Sequence, residues 1–263
     1  MNFNIETYLK SLPLYTTYID LSNRGLTYLP DLSRFKQLTN LFCNDNKLTW
    51  LPHLNNTLTQ LDCTGNKLTE LPPLNDNLIQ LYCSFNCLTS LPLLNNKLKH
   101  LNCNDNQLTK LPPLNNNLTH LNCSYNCLTQ LPQLNNNLLK LYCFQNKLTE
   151  LPRLNNELKN LDCSRNQLTW LPPLNNKLQF LDCSNNNIYF NDLYGKKISI
   201  LRNFRYTYYC LKYKQHFKRW LWEKVREPKI MVKFHPSHLN ALEDTDDLEV
   251  FLEDWIKNDL DKE

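Results

Sequence analysis

From Leu41 to Phe180 the apolar positions return in one fixed order. Leu41 and Cys43 flank a single variable residue, and Leu48, Leu51, Leu54 and Leu58 follow before Leu61 restarts the series. The period is 20 residues and runs without a gap through seven blocks, with the shared pattern LxCxxNxLTxLPxLNNxLxx. A degenerate first copy spans Ile19–Asn40 with two extra residues, and Leu181–Ile188 opens an eighth in-phase block that breaks off.

Residues two apart in an extended segment share a face, so Leu41 and Cys43 point one way while Phe42 and Asn44 point the other. Each block therefore predicts one short strand. Strands stacked in parallel lie about 4.8 Å apart, so nine such rungs give a sheet roughly 40 Å long. The four later leucines turn inward and fill the space behind it. Pro52, Pro72, Pro92, Pro112, Pro132, Pro152 and Pro172 each remove a backbone donor and favour an extended chain, and a 20-residue coil leaves little room for a helix. The returning side should be polyproline-like or a tight turn.

With Leu38 included, Leu38, Leu41, Cys43, Asn46 and Leu48 spell LxxLxCxxNxL. The chain resembles the leucine-rich repeat superfamily. Its LTxLP step and 20-residue period are most similar to the short repeats of bacterial effector proteins, over about two thirds of the chain. The resemblance implies an α/β solenoid, a horseshoe with a parallel concave sheet and a non-helical convex side. Effectors of this class can carry a Cys-dependent ubiquitin-ligase domain after the repeats. Here 75 residues follow Ile188, and Cys210, in the run YYCLKY, lacks the Cys-x-Asp motif of that domain, so the activity is not carried over.

Composition sharpens the picture at two residue types. Asn makes up about 15% of the chain, far above ordinary usage. One Asn per block is invariant, at 46, 66, 86, 106, 126, 146, 166 and 186, and the first copy has Arg24 instead. As the chain leaves a strand its backbone groups lose their ladder partners, and an inward amide can satisfy both a donor and an acceptor of the turn. The pairs such as Asn55–Asn56 and Asn95–Asn96 suit solvated turns, where Asn tolerates left-handed angles.

Eight of the 11 cysteines fall at one repeat position, from Cys43 to Cys183, where the superfamily has an apolar residue. A straight column of thiols does not converge on one point as zinc ligands do, and free Cys packs as a small hydrophobe. Cys87 and Cys127 occupy a variable position two rungs apart, about 10 Å, too far for a disulfide. Reduced thiols and no cofactor are expected.

Function in a solenoid is read from positions that the repeat leaves free. On the concave strands the aromatic residues are Phe42, Tyr82, Tyr142, Phe144 and Phe180, with Phe85 and Tyr125 directly after. His100 and His120 lie in register on neighbouring rungs. Aromatic side chains on such a face suit an anchor patch for a protein partner, against the alternative of scattered surface aromatics. The His pair lacks a third ligand for a metal. Three glycines leave no phosphate-cradling loop, and no nucleophile–base pair stands out, so an enzyme is not expected.

The two ends differ from the repeats. Residues 1–18 carry a short helix near Ile5–Leu12, stopped by Pro13, as an N-terminal cap to the solenoid of 19–188. Residues 189–263 predict a helical C-terminal cap or tail, with one helix over Lys196–Arg226 and another over Asp247–Leu260. Residues 194–234 hold 12 Lys plus Arg against Glu223 and Glu227, whereas 243–263 hold 10 acids against Lys257 and Lys262. The basic helix could bind nucleic acid or an acidic surface, but mutual neutralisation by the acidic segment is the simpler reading at a net charge of +4. The tail from Trp220 to Trp255 resembles segments of repeat proteins from amoeba-infecting giant viruses.

No apolar run reaches the roughly 18 residues of a membrane span, and Met1–Tyr18 lacks the order of a secretory signal. The expectation is a monomeric, intracellular protein, cytoplasmic or in the host cytoplasm if viral. It would bind a protein partner, a host protein if the chain is viral, and not nucleic acid.

Overall fold

The computed structural model describes residues 3–188. The predicted C-terminal helices, Cys210 and the two opposed charge runs lie outside the described residues. The order is one helix, α1 (Ile5–Ser11), then β1 (Tyr18–Asp20), β2 (Asn40–Phe42), β3 (Gln60–Asp62), β4 (Gln80–Tyr82), β5 (His100–Asn102), β6 (His120–Asn122), β7 (Lys140–Tyr142), β8 (Asn160–Asp162) and β9 (Phe180–Asp182). The strands form a nine-stranded sheet in sequence order. Every neighbouring pair is parallel, with the equivalent residues of successive blocks opposite each other, as in Leu41 with Leu61.

Alternation sets the faces as the spacing predicts. In each of β2 to β8 the central leucine is buried and its two neighbours are half-buried. Cys43, Cys63, Cys83, Cys103, Cys123 and Cys143 follow them into the core, and Leu48, Leu51, Leu54 and Leu58 close it from behind. The return path over residues 51–55 carries no helix, consistent with its proline. At the start, Asn4 caps α1 by accepting from the Thr7 amide at 3.0 Å, and the helix buries Ile5 and Leu9 against the first coil.

The strands are only three residues long, so most of each coil needs other partners for its backbone. Backbone bonds between coils continue past the strand, as from the Cys43 amide to the Asp62 carbonyl and from the Asp45 amide to the Thr64 carbonyl, and the invariant Asn pairs buried groups that these leave over. Asn106 Nδ2 donates to the carbonyls of Cys103 and Asn104 in its own turn and of Cys83 in the preceding coil, at 3.0–3.2 Å, while its Oδ1 accepts from the Leu88 amide at 2.9 Å. The same geometry recurs from Asn66 to Asn186. Asn46 faces the degenerate coil and accepts from both the Arg24 and Leu26 amides.

A second ladder corrects the reading of the Asn pairs as solvated left-handed turns. The first Asn of the pair points inward at Asn95, Asn115, Asn135 and Asn155, as does Asn75, which Asp76 follows, and all five are buried. Asn115 Nδ2 donates to the Asn95 carbonyl at 2.8 Å and to the Leu98 carbonyl at 3.1 Å, and its Oδ1 accepts from the Asn117 amide. The left-handed angles belong instead to the residue before the invariant Asn, such as Asp45, Phe85, Asp105, Tyr125, Gln145 and Arg165 at φ 50–55°, with Gly65 in that place once. That turn is what swings the following Asn into the core.

Removing a ladder Asn leaves its buried backbone partners unpaired, each costing about 1–3 kcal/mol. Asn106→Ala should lower stability by about 3 kcal/mol, whereas Asn104→Ala, half-exposed next to it, should change it by about 0.5 kcal/mol or less. Urea denaturation followed by circular dichroism checks both, and equal losses would remove the ladder argument.

Candidate functional site

The strand rows line up the free positions of every block into columns on the exposed face of the sheet. The column before the central leucine reads Asn40, Gln60, Gln80, His100, His120, Lys140, Asn160 and Phe180. The column after it reads Asp20, Phe42, Asp62, Tyr82, Asn102, Asn122, Tyr142, Asp162 and Asp182.

Of the sequence-nominated residues, two groups meet. His100 and His120 stack with ring centroids 4.4 Å apart and planes at 23°. Tyr125 and Phe144 meet edge to face at 4.9 Å. Phe42 pairs not with another nominated residue but with Tyr18 on β1, at 5.2 Å. Tyr82 on β4 and Tyr142 on β7 are separated by Asn102 and Asn122. Tyr82 donates to Gln80 Oε1 at 3.4 Å. Phe85 projects from the turn after β4, 55% exposed, and Asp105 stands between it and Tyr125 in that column. Phe180 lies three rungs beyond His120 on the last strand. Phe42, Tyr82, Phe85, Tyr125, Tyr142 and Phe144 thus stand in separate groups along the face.

The histidines are held by their surroundings. Thr119 Oγ1 lies 2.9 Å from His120 Nδ1. Partial burial, and then the nearby charge of Lys99 and Lys140, holds the His100 imidazole below its ordinary 6.5. Burial, His100 and Lys140 do the same to His120. At neutral pH the pair is uncharged, which lets two rings stack beside an ammonium group. Among the described residues no group of three His, Cys, Asp or Glu side chains is placed to hold a metal ion.

Comparison with solved structures fits this geometry to a family. The chain is similar to YopM from Yersinia enterocolitica, at 32% identity and TM-score 0.66, over 68% of this chain and 39% of that one. It is similar to YopM from Yersinia pestis, described as a leucine-rich effector protein, at 35% identity and TM-score 0.62, over 65% of this chain and 49% of that one. A Shigella effector leucine-rich repeat domain matches at 32% identity and TM-score 0.55, over 62% of this chain and 73% of that domain. The chain belongs to the leucine-rich repeat family. It spans less than half the length of either YopM chain. No family model and no curated protein sequence matches it.

In this leucine-rich repeat sheet the column of thiols from Cys43 to Cys183 is packed in the core. Burial pushes Cys103 up to about 12 and holds Cys63, Cys83, Cys123, Cys143 and Cys163 well above the ordinary 9.0. A thiol kept protonated is a poor nucleophile. No described helix is long and apolar enough to cross a membrane.

Reading by residue type missed three features of the repeat surface. Tyr18 begins β1 and extends the face by one aromatic. Trp50 and Trp170, at the variable step of LTxLP, are each half-exposed away from the strands. The third is the layout of charge by rung: Asp62 on one side of the His pair, Lys140 beside it, Asp162 and Asp182 beyond. The period contains that layout, but only when the columns are read across strands.

Two outcomes follow. Alkylation of the native protein should mark Cys87 and Cys127 among the described cysteines, and the buried column should react only after unfolding, as mass spectrometry would show. Asp162 is raised above its ordinary 3.8 mainly by burial, opposed by its bonds to Ser164 and reinforced by Asp182. Its carboxylate form therefore weakens the fold, and stability is lost as pH rises through the raised value. Asp162→Asn keeps the acceptor for Ser164 and should raise the Tm at pH 7, with the gain vanishing below pH 3.8. A gain that is independent of pH would refute this origin.

Proposed function

We propose that the chain is a non-enzymatic binding module that holds a protein partner on the concave face of its repeats. The observation that carries this reading is the set of aromatic side chains standing on a rigid polar sheet. Phe85 and Tyr125 are 55% and 41% exposed, and Tyr125 is braced by Phe144. Rigid aromatics give large contact area for little entropy loss, and they recur as anchors in protein interfaces. The family supports the class of function, since the Yersinia and Shigella structures are described as effectors. The buried thiol column from Cys43 to Cys163 suits a reducing compartment and so supports a cytoplasmic module, which we read as a monomer.

Affinity capture with the full chain from nuclease-treated eukaryotic cytosol tests this. A protein partner should remain bound at high salt and be lost with Tyr82→Asp/Tyr142→Asp, a pair of half-buried face residues whose change leaves the core intact. If everything retained is removed by salt, or if the double variant retains the same partner, the aromatic face is not the site.

A further inference from the structure

We infer that the middle of this face, over β5 to β7, docks an extended acidic peptide segment of the partner, with its carboxylates on His100, His120 and Lys140. The inference rests on the concave-face reading above and names the chemistry of what that face takes.

Three basic side chains occupy one column on three consecutive strands in register. Two interstrand steps of about 4.8 Å make the row roughly 10 Å long, enough for two or three carboxylates of an extended chain. Asn102 and Asn122, next to the two histidines on the same strands, add amide donors for a peptide backbone. Tyr82 on β4 precedes the row, and Tyr142 shares β7 with Lys140 at its far end. Beyond them the sign reverses, with Asp62 on β3 and Asp162 and Asp182 on β8 and β9.

That acid–base–acid order selects among occupants. A nucleic acid strand is a continuous polyanion and would overlie the flanking aspartates. A second copy of this chain would set like against like in either direction, because the order reads nearly the same both ways. A cation would meet Lys140. A short acidic segment with neutral or basic flanks meets Lys140, and the histidines as they protonate, at its middle and the aspartates of β3, β8 and β9 at its flanks, with Asp105 set off in the turn after β5.

The histidines add a pH dependence. The groups facing them are uncharged Gln80 from β4, Lys99 before β5, the Thr119 hydroxyl before β6, and Lys140 and Tyr142 from β7. No carboxylate is among these neighbours to stabilise a proton, so the free rings stay neutral near pH 7. Carboxylates of a partner would raise both rings, and binding would then take up protons. Affinity rises as pH falls toward the free-ring values, while the peptide acids remain ionised above about 4.3.

The test is fluorescence anisotropy of the full chain with a labelled peptide of alternating Glu and Gly residues and with its Gln–Gly counterpart. The acidic peptide should bind about tenfold more tightly at pH 5.5 than at pH 7.5, an average uptake of about half a proton on binding over that range. His100→Gln/His120→Gln should flatten that dependence, and Lys140→Gln should weaken binding at both pH values. Circular dichroism verifies that the variants fold. Equal binding of the Gln–Gly peptide, no binding of the acidic one at pH 5.5, an unchanged pH profile in the double variant, or preference for a single-stranded oligonucleotide each overturns the inference. So does retention of a partner captured through Tyr82 and Tyr142 by His100→Gln/His120→Gln/Lys140→Gln. That last result leaves the concave-face reading standing, whereas loss of the partner's dependence on the tyrosines removes that reading itself.

Discussion

A coil that closes every 20 residues around a narrow core must bury backbone that its three-residue strand cannot pair. Everything else in this repeat depends on how that requirement is met. A primary amide is the side chain suited to it, because it offers two donors and an acceptor on one short stem and carries no charge to desolvate. One ladder, through Asn46 to Asn186, holds the exit of the strand, and a second, through Asn55 to Asn175, holds the opposite corner. Each amide reaches the preceding coil, and from Asn75 onward those of the second ladder also accept from their own turn, so the ladders join neighbouring rungs. Asp would bring a charge into the core and remove the donors. Leucine would leave the carbonyls unpaired.

Between the two ladders the leucines and cysteines have little freedom. The column thiols are buried beside the strand leucines, and that burial keeps them protonated. The remaining freedom lies on the face, where side chains are set by no packing rule and line up only because the period repeats. Charge is arranged there along the stack of strands, not along the chain. His100, His120 and Lys140 are 20 residues apart in sequence and adjacent in space. The stack of two neutral imidazoles beside an ammonium group is a product of that adjacency and of partial burial, and it is the most distinctive electrostatic feature of the face.

Much of the architecture was legible because it repeats. Alternation of Leu41, Phe42 and Cys43 gives the buried and exposed faces of a strand, and a regular period forces successive strands into register. The invariant Asn was readable as an inward amide, since a polar residue at a fixed place in every coil must answer a backbone need. The first Asn of each pair was not readable in the same way. Asn-Asn is ordinary turn chemistry in a linear chain, and its burial at Asn115 comes from the Asn95 and Leu98 carbonyls of the coil below. The left-handed residue was equally hidden, because Asp45, Phe85 and Arg165 share no side-chain type. The site shows the same limit. Composition nominated the aromatics together, yet Phe42 joins Tyr18, Tyr125 joins Phe144, and Tyr82 stands three strands from Tyr142.

The sequence by itself determined the coil length, the strand faces, the inward ladder at Asn46 and its equivalents, and the class of fold. These follow from local periodicity, which is a property of neighbouring residues. The tertiary structure decided which free positions become neighbours, which Asn of a pair is buried, and how acid and base alternate across the sheet. Those are contacts between coils, where separation along the chain is 20 residues and separation in space is one strand spacing.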